Sequence, residues 1–176
     1  MSLMDRILRR KLTPSVSEEV ARTVPGPLTA NEAFQMALPI AEGIDKHAQL
    51  MLATSGTDLQ SNGKAFVWEF LFNLDSRGSR LMLTFSPDPS APDVDNAPVH
   101  LKKRVFPSDE KPFHPLPLSF RDSPEVVSEL SEAGVDFVAG PTDMKLESGL
   151  SADGRPVWIT YCWDKRYEAS FQKSYD

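Results

Sequence analysis

A single cysteine, Cys162, stands in the 176 residues, so the chain holds no internal disulfide and no multi-cysteine zinc site. Histidine is scarce too. His47, His100 and His114 lie in separate segments, without the i, i+4 spacing that sets two imidazoles on one helix face, and neither a metal centre nor a cofactor is expected. No apolar run approaches the roughly 20 residues of a membrane helix. The basic start, Arg6, Arg9, Arg10 and Lys11, has no apolar segment behind it of the kind a secretory signal needs, so the expectation is a cytoplasmic protein off the membrane. Positive charge is in deficit, 19 Lys and Arg against 25 Asp and Glu for a net charge of −6, which argues against nucleic acid as a partner. No glycine-rich phosphate loop follows a strand pattern, and no serine stands in a G-x-S-x-G turn.

What is present is ordinary globular composition, 40% apolar and 25% charged, with two organising stretches. In residues 63–72, GKAFVWEFLF, the row Phe66, Trp68, Phe70 and Phe72 alternates with Ala65, Val67, Glu69 and Leu71. That is the period of a pleated strand, and an all-aromatic row must be buried. Residues 154–163, GRPVWITYCW, return the pattern, with Val157, Ile159, Tyr161 and Trp163 in the positions of the four aromatics.

Each stretch is preceded by a helix signal. Thr29 and Glu32 form a capping box with Leu28 as its staple, and Ala33, Phe34, Ala37, Leu38, Ala41 and Ile44 make an apolar stripe that Pro39 should kink or end early, with Gly43 a candidate stop. In the second half Ser123 is the expected N-cap, Pro124 the first helical residue, and Gly134 the left-handed stop. Strands are expected at residues 49–54, 79–85, 99–106, 144–148 and 166–172. Residues 86–98 form a loop rich in proline and aspartate, and residues 1–27 a basic arm and connector. The implied class is α+β: two tandem helix-plus-antiparallel-sheet (αβββ) units in one body. Their bounds are an arm at 1–27, a first unit at 28–106, a proline-rich connector at 107–122 and a second unit at 123–176.

On the glycine-turn, aromatic-strand motifs GKAFVWEF and GRPVWITY, the layout resembles the PepSY-type and beta-lactamase-inhibitory-protein-type fold. The resemblance implies binding of protein partners without catalysis, and it transfers no functional residue.

For function, the most informative feature is the second face of the two organising strands. Val67 and Leu71 in one, with Trp158 and Cys162 in the other, make it more apolar than a water-facing sheet should be. With Asp93 and Asp95 of the loop they are the candidate partner-binding residues. Cys162 has no helix N-terminus or cation to activate it at a mid-strand position, so no catalytic residue is expected. The reading is a non-enzymatic protein-binding module of inhibitor, immunity or accessory type, with a protein partner or self-association. The alternative is a small-ligand binder or enzyme with its pocket between helix and curved sheet. Such a pocket needs ionisable groups in the inward rows, where the periodicity places only Tyr161.

Overall fold

A computed structural model describes residues 19–74, 78–93, 97–108, 114–137, 145–162 and 165–172, the side chains from residue 22 onward. The elements in chain order are β1 (Glu19–Pro25), α1 (Ala30–Ile44), β2 (Gln49–Ser55), β3 (Trp68–Leu74), β4 (Ser79–Pro87), β5 (Pro98–Pro107), α2 (Ser123–Glu132), β6 (Glu147–Leu150), β7 (Pro156–Cys162) and β8 (Lys165–Ser170). The strands form one open eight-stranded sheet, wholly antiparallel, in the order β1-β5-β4-β3-β2-β6-β7-β8. The class is mixed helix and sheet, dominated by sheet.

The first helix starts where its signal lies. Thr29 accepts from the Glu32 amide at 3.2 Å while the Glu32 carboxylate accepts from the Thr29 amide at 2.8 Å, a complete capping box. It does not stop at Pro39. The stripe of Ala33, Phe34, Ala37 and Ala41 is buried on both sides of the proline, and its packing on the sheet outweighs the roughly 3 kcal/mol that an interior proline costs. Nor is Gly43 the end, since the helix runs to Ile44 and the Asp45 amide closes it on the Ala41 carbonyl at 2.9 Å. In α2 the N-cap is Asp122, with Ser123 and Pro124 inside the first turn, because the Asp122 carboxylate takes the Ser123 amide at 2.8 Å. Gly134 does take the left-handed conformation, φ 99°. The second half of the expected arm is a strand: residues 19–25 pair with β5 as one edge of the sheet, while residues 1–18 lie outside the described residues.

Both helices cover the same face of the sheet. Phe34 of α1 sits 5.4 Å from the ring of Phe70 and 6.3 Å from that of Phe72, and Phe66, Trp68, Phe70 and Phe72 are all buried, as the alternation predicts. In β7 the faces are exchanged relative to the sequence expectation. Trp158 is 0% exposed and joins Phe120 and Phe171 under α2, with Cys162 buried in the same cluster. Val157, Ile159 and Tyr161 point to the other face.

Two indole N–H groups carry the reason. That of Trp68 donates to the Leu28 carbonyl at 2.9 Å, and that of Trp158 to the Arg121 carbonyl at 3.2 Å; Leu28 and Arg121 each stand immediately before the N-cap of a helix. Trp68 lies opposite Ser55, and Trp158 opposite Ser148. The two tryptophans therefore make the same kind of contact, but Trp68 stands one residue further from Gly63 than Trp158 does from Gly154. A one-residue slip sends every side chain of a strand to the opposite face.

The seam between β2 and β6 is short and uses side chains. Among the described residues Thr54 and Glu147 are paired in register, and the Ser55 amide donates to the Leu146 carbonyl at 2.8 Å; the Ser148 hydroxyl takes the Ala53 amide and the Ser55 hydroxyl takes the Leu146 amide, both at 2.8 Å. Above it the helix starts converge. The Ala30 amide donates to the Ser123 hydroxyl and the Asn31 amide to the Asp122 carboxylate, each at 2.9 Å, while the Ser123 hydroxyl donates to the Gly63 carbonyl at 2.6 Å. Gly63 holds φ 78°, and a Cβ there would stand 2.5 Å from the Pro124 backbone, so this approach requires glycine.

Candidate functional site

With both helices on one face, the opposite face of the sheet is the surface to examine. One row of register partners crosses it from strand to strand: Lys102, Thr84, Glu69, Thr54, Glu147, Ile159 and Glu168. Next to it on β4, β3 and β2 stand Met82, Leu71 and Leu52. The face thus combines aliphatic groups with carboxylates and amines.

Its two ends differ in exposure. On β2 to β4 the apolar groups are closed to water: Leu71 is 0% exposed, Leu52 1% and Met82 7%. On β7 the row Val157, Ile159, Tyr161 faces the same side; Val157 and Ile159 are buried as well, and the difference lies in Tyr161, which is 54% exposed. Gly149 lets Ile159 lie across β6, since a Cβ at that position would collide with the Ile159 δ-carbon. Arg166 and Glu168 on β8, joined at 2.7 Å, border Tyr161 and Ile159.

Glu69 is the electrostatic feature of this face. Burial among the strand partners pushes its carboxyl above the ordinary glutamate range, and the Lys145 ammonium pulls only partly back. Lys145 itself is held by Glu147 at 2.8 Å. At the loop end, Asp88 is held below the usual aspartate range by Ser90, whose hydroxyl and amide both donate to it, and by His100 at 3.4 Å. Asp153, in the turn before β7, is lowered by the Ser151 hydroxyl and by Arg155.

The candidate residues read from the sequence do not form one patch. Leu71 is on the helix-free face but fully buried; Val67 is on the same side, half-buried against Gly56. Trp158 and Cys162 lie under the helices on the opposite face, which corrects their placement beside Val67 and Leu71. Asp93 is exposed in the loop between β4 and β5, and Asp95 lies outside the described residues. Tyr161, expected in the inward row, is the exposed aromatic of the outer face. Thr160 takes its inward position, 0% exposed, and its hydroxyl has no hydrogen-bond partner among the described residues.

The space between helices and sheet is filled. Rings of Phe34, Phe70, Phe72, Phe120, Trp158 and Phe171 stand 4.8 to 6.3 Å apart in successive pairs. A cleft of about 390 Å³ lies instead at the ends of β7 and β8, bordered by Glu129, Ser151, Arg155, Glu168 and Ser170. Among the described residues no three His, Cys, Asp or Glu side chains stand together in a way that would hold a metal ion, and no helix is long and apolar enough to cross a membrane. No protein-family model, no curated protein and no solved structure matches the chain.

Proposed function

We propose that the chain is a non-enzymatic protein-binding module of inhibitor, immunity or accessory type, acting in the cytoplasm through the helix-free face of its sheet. The observation that carries this reading is Tyr161, an exposed aromatic one residue before the end of β7, on the helix-free face and bordered by the Arg166–Glu168 pair. An amphipathic ring with a charged rim is the composition of a binding hot spot, where tyrosine provides large contact area at low entropic cost. The partner is a protein and not a nucleic acid, in keeping with the net charge of −6.

Two αβββ units underlie the surface in this proposal, joined edge to edge. The reciprocal serine bonds at the seam and the matched indole bonds of Trp68 and Trp158 support it. The layout keeps the resemblance to the PepSY-type and beta-lactamase-inhibitory-protein-type fold, and with it the bias toward protein partners.

The test is recovery of partners from native extract by the intact chain and by Tyr161→Asp, followed by titration of the recovered, purified partner against both. The Tyr161 side chain faces water, so the variant keeps the wild-type circular dichroism and melting behaviour. A stoichiometric partner whose affinity falls about tenfold or more in the variant supports the reading. Partners bound equally by both chains refute the β7 face as the site. Absence of any partner refutes the binding function as stated.

A further inference from the structure

We infer that the outer edge of β8, which no other strand among the described residues covers, is a self-association surface, at which a second copy of this chain extends the sheet across a two-fold axis. The inference shares Arg166 and Glu168 with the rim of the partner surface proposed above but does not rest on that reading, since it stands on the strand edge and the order of its charges. β8 is the last strand in the sheet order, and its six pairs with β7, from Cys162–Lys165 to Val157–Ser170, run without a shift. The opposite edge is unlike it, since β1 carries an irregularity between Val20 and Arg22 and ends on Pro25.

The ladder shows which backbone groups face β7 and which face away from it. The Phe171 amide donates to the Pro156 carbonyl, so residues 171, 169, 167 and 165 turn their backbone groups toward β7. Arg166, Glu168 and Ser170 turn theirs outward, and their side chains share the helix-free face. Pro156 has no amide to return to the Phe171 carbonyl, which accepts instead from the Arg121 amide at 2.8 Å. That contact ties down the end of the strand and leaves the outward groups ahead of it as a regular template.

Charge selects the occupant and the register. Two copies can pair antiparallel only with outward residues opposite outward residues. If Glu168 faced its own copy, two carboxylates would stand directly opposed, a destabilising pair. One step along, Arg166 faces Glu168 of the second copy and Glu168 faces its Arg166, while the half-buried Tyr167 meets its own copy at the axis. The sequence Arg-Tyr-Glu is thus complementary to itself when reversed, which an edge evolved only to repel other strands would not be. In the single chain the Arg166 guanidinium is bonded to Glu168 and reaches back across β7 to the Leu150 carbonyl of β6 at 2.9 Å, so pairing requires it to turn toward the edge while it keeps a carboxylate partner. Pairing completes an alternating group of four charges.

Sedimentation of the full chain across a concentration series tests this, with charge exchange as the control on register. Wild type is expected to form a dimer. Arg166→Glu and Glu168→Arg are each expected to weaken it about tenfold or more, because each places like charges opposite one another. Mixing these two variants restores a dimer, since every 166–168 contact between unlike chains is again of opposite sign. Glu168→Pro removes an outward amide without touching the β7 ladder and is expected to give a folded monomer. A wild type that stays monomeric at the highest concentration overturns the inference. So does a dimer indifferent to the charge exchange, and so does an edge that takes up an unrelated extended peptide in preference to its own copy.

Discussion

Replacing Trp158 with alanine separates the two placements of β7 most sharply. On an outer binding face the change would cost little stability, because surface substitutions usually stay within about 0.5 kcal/mol. In the structure the indole is 0% exposed, 4.8 Å from the Phe171 ring and 5.6 Å from that of Phe120, and its N–H donates to the Arg121 carbonyl. Truncating a buried tryptophan costs about 3–5 kcal/mol through lost transfer energy and the cavity left behind. The upper half of that range is expected, because two ring contacts and a hydrogen bond are lost together. With an urea slope of about 2 kcal/mol per molar, a loss of about 4 kcal/mol lowers the unfolding midpoint by about 2 M. Urea unfolding followed by far-ultraviolet circular dichroism measures it, with Tyr161→Ala as the exposed control on the same strand. A Trp158→Ala midpoint within about 0.3 M of wild type would refute the inward placement of Trp158.

Three further outcomes follow from the same geometry. Gly63→Ala combines a positive φ with a Cβ 2.5 Å from the Pro124 backbone, whereas Gly134→Ala at φ 99° meets nothing within 4 Å; thermal unfolding should show a loss of about 1 kcal/mol for Gly134 and clearly more for Gly63. Thr160→Val replaces a buried hydroxyl that has no partner among the described residues by a methyl of similar shape, so it should raise stability by about 1 kcal/mol in chemical unfolding. Glu69→Gln addresses pH. The folded carboxyl binds its proton more tightly than the unfolded one, so the folded state holds more protons and wild-type stability falls as pH rises from the ordinary glutamate value through the raised folded one. Above that window the glutamine variant should be the more stable chain, and its pH profile should lack the fall; equal profiles for both chains would show that Glu69 titrates normally.

Local chemistry made much of the fold legible before any coordinates. Thr29 and Glu32 announce α1, Gly134 ends the second helical segment, and the period of two in β3 and β4 places Phe66, Trp68, Phe70, Phe72, Leu81, Leu83 and Phe85 in the core. These signals act within a few residues, and each is satisfied by the backbone geometry it calls for. The candidate site was legible only in part. Leu71 and Val67 lie on the helix-free face as expected, but burial of Leu71 leaves the exposed aromatic role to Tyr161.

Other features were decided by contacts distant in the chain. The strand at residues 19–25 exists because β5 offers its edge, and Pro39 stays inside α1 because the stripe around it is buried. Most consequential is β7, where Val157, Trp158 and Ile159 are all apolar and alternation therefore assigns no face. The sequence alone determined that an antiparallel strand rich in apolar side chains begins after Gly154. The tertiary structure decided which way it faces: the indole of Trp158 finds the Arg121 carbonyl and the rings under α2, and with a pleat of period two that one anchored side chain sets the direction of all the others.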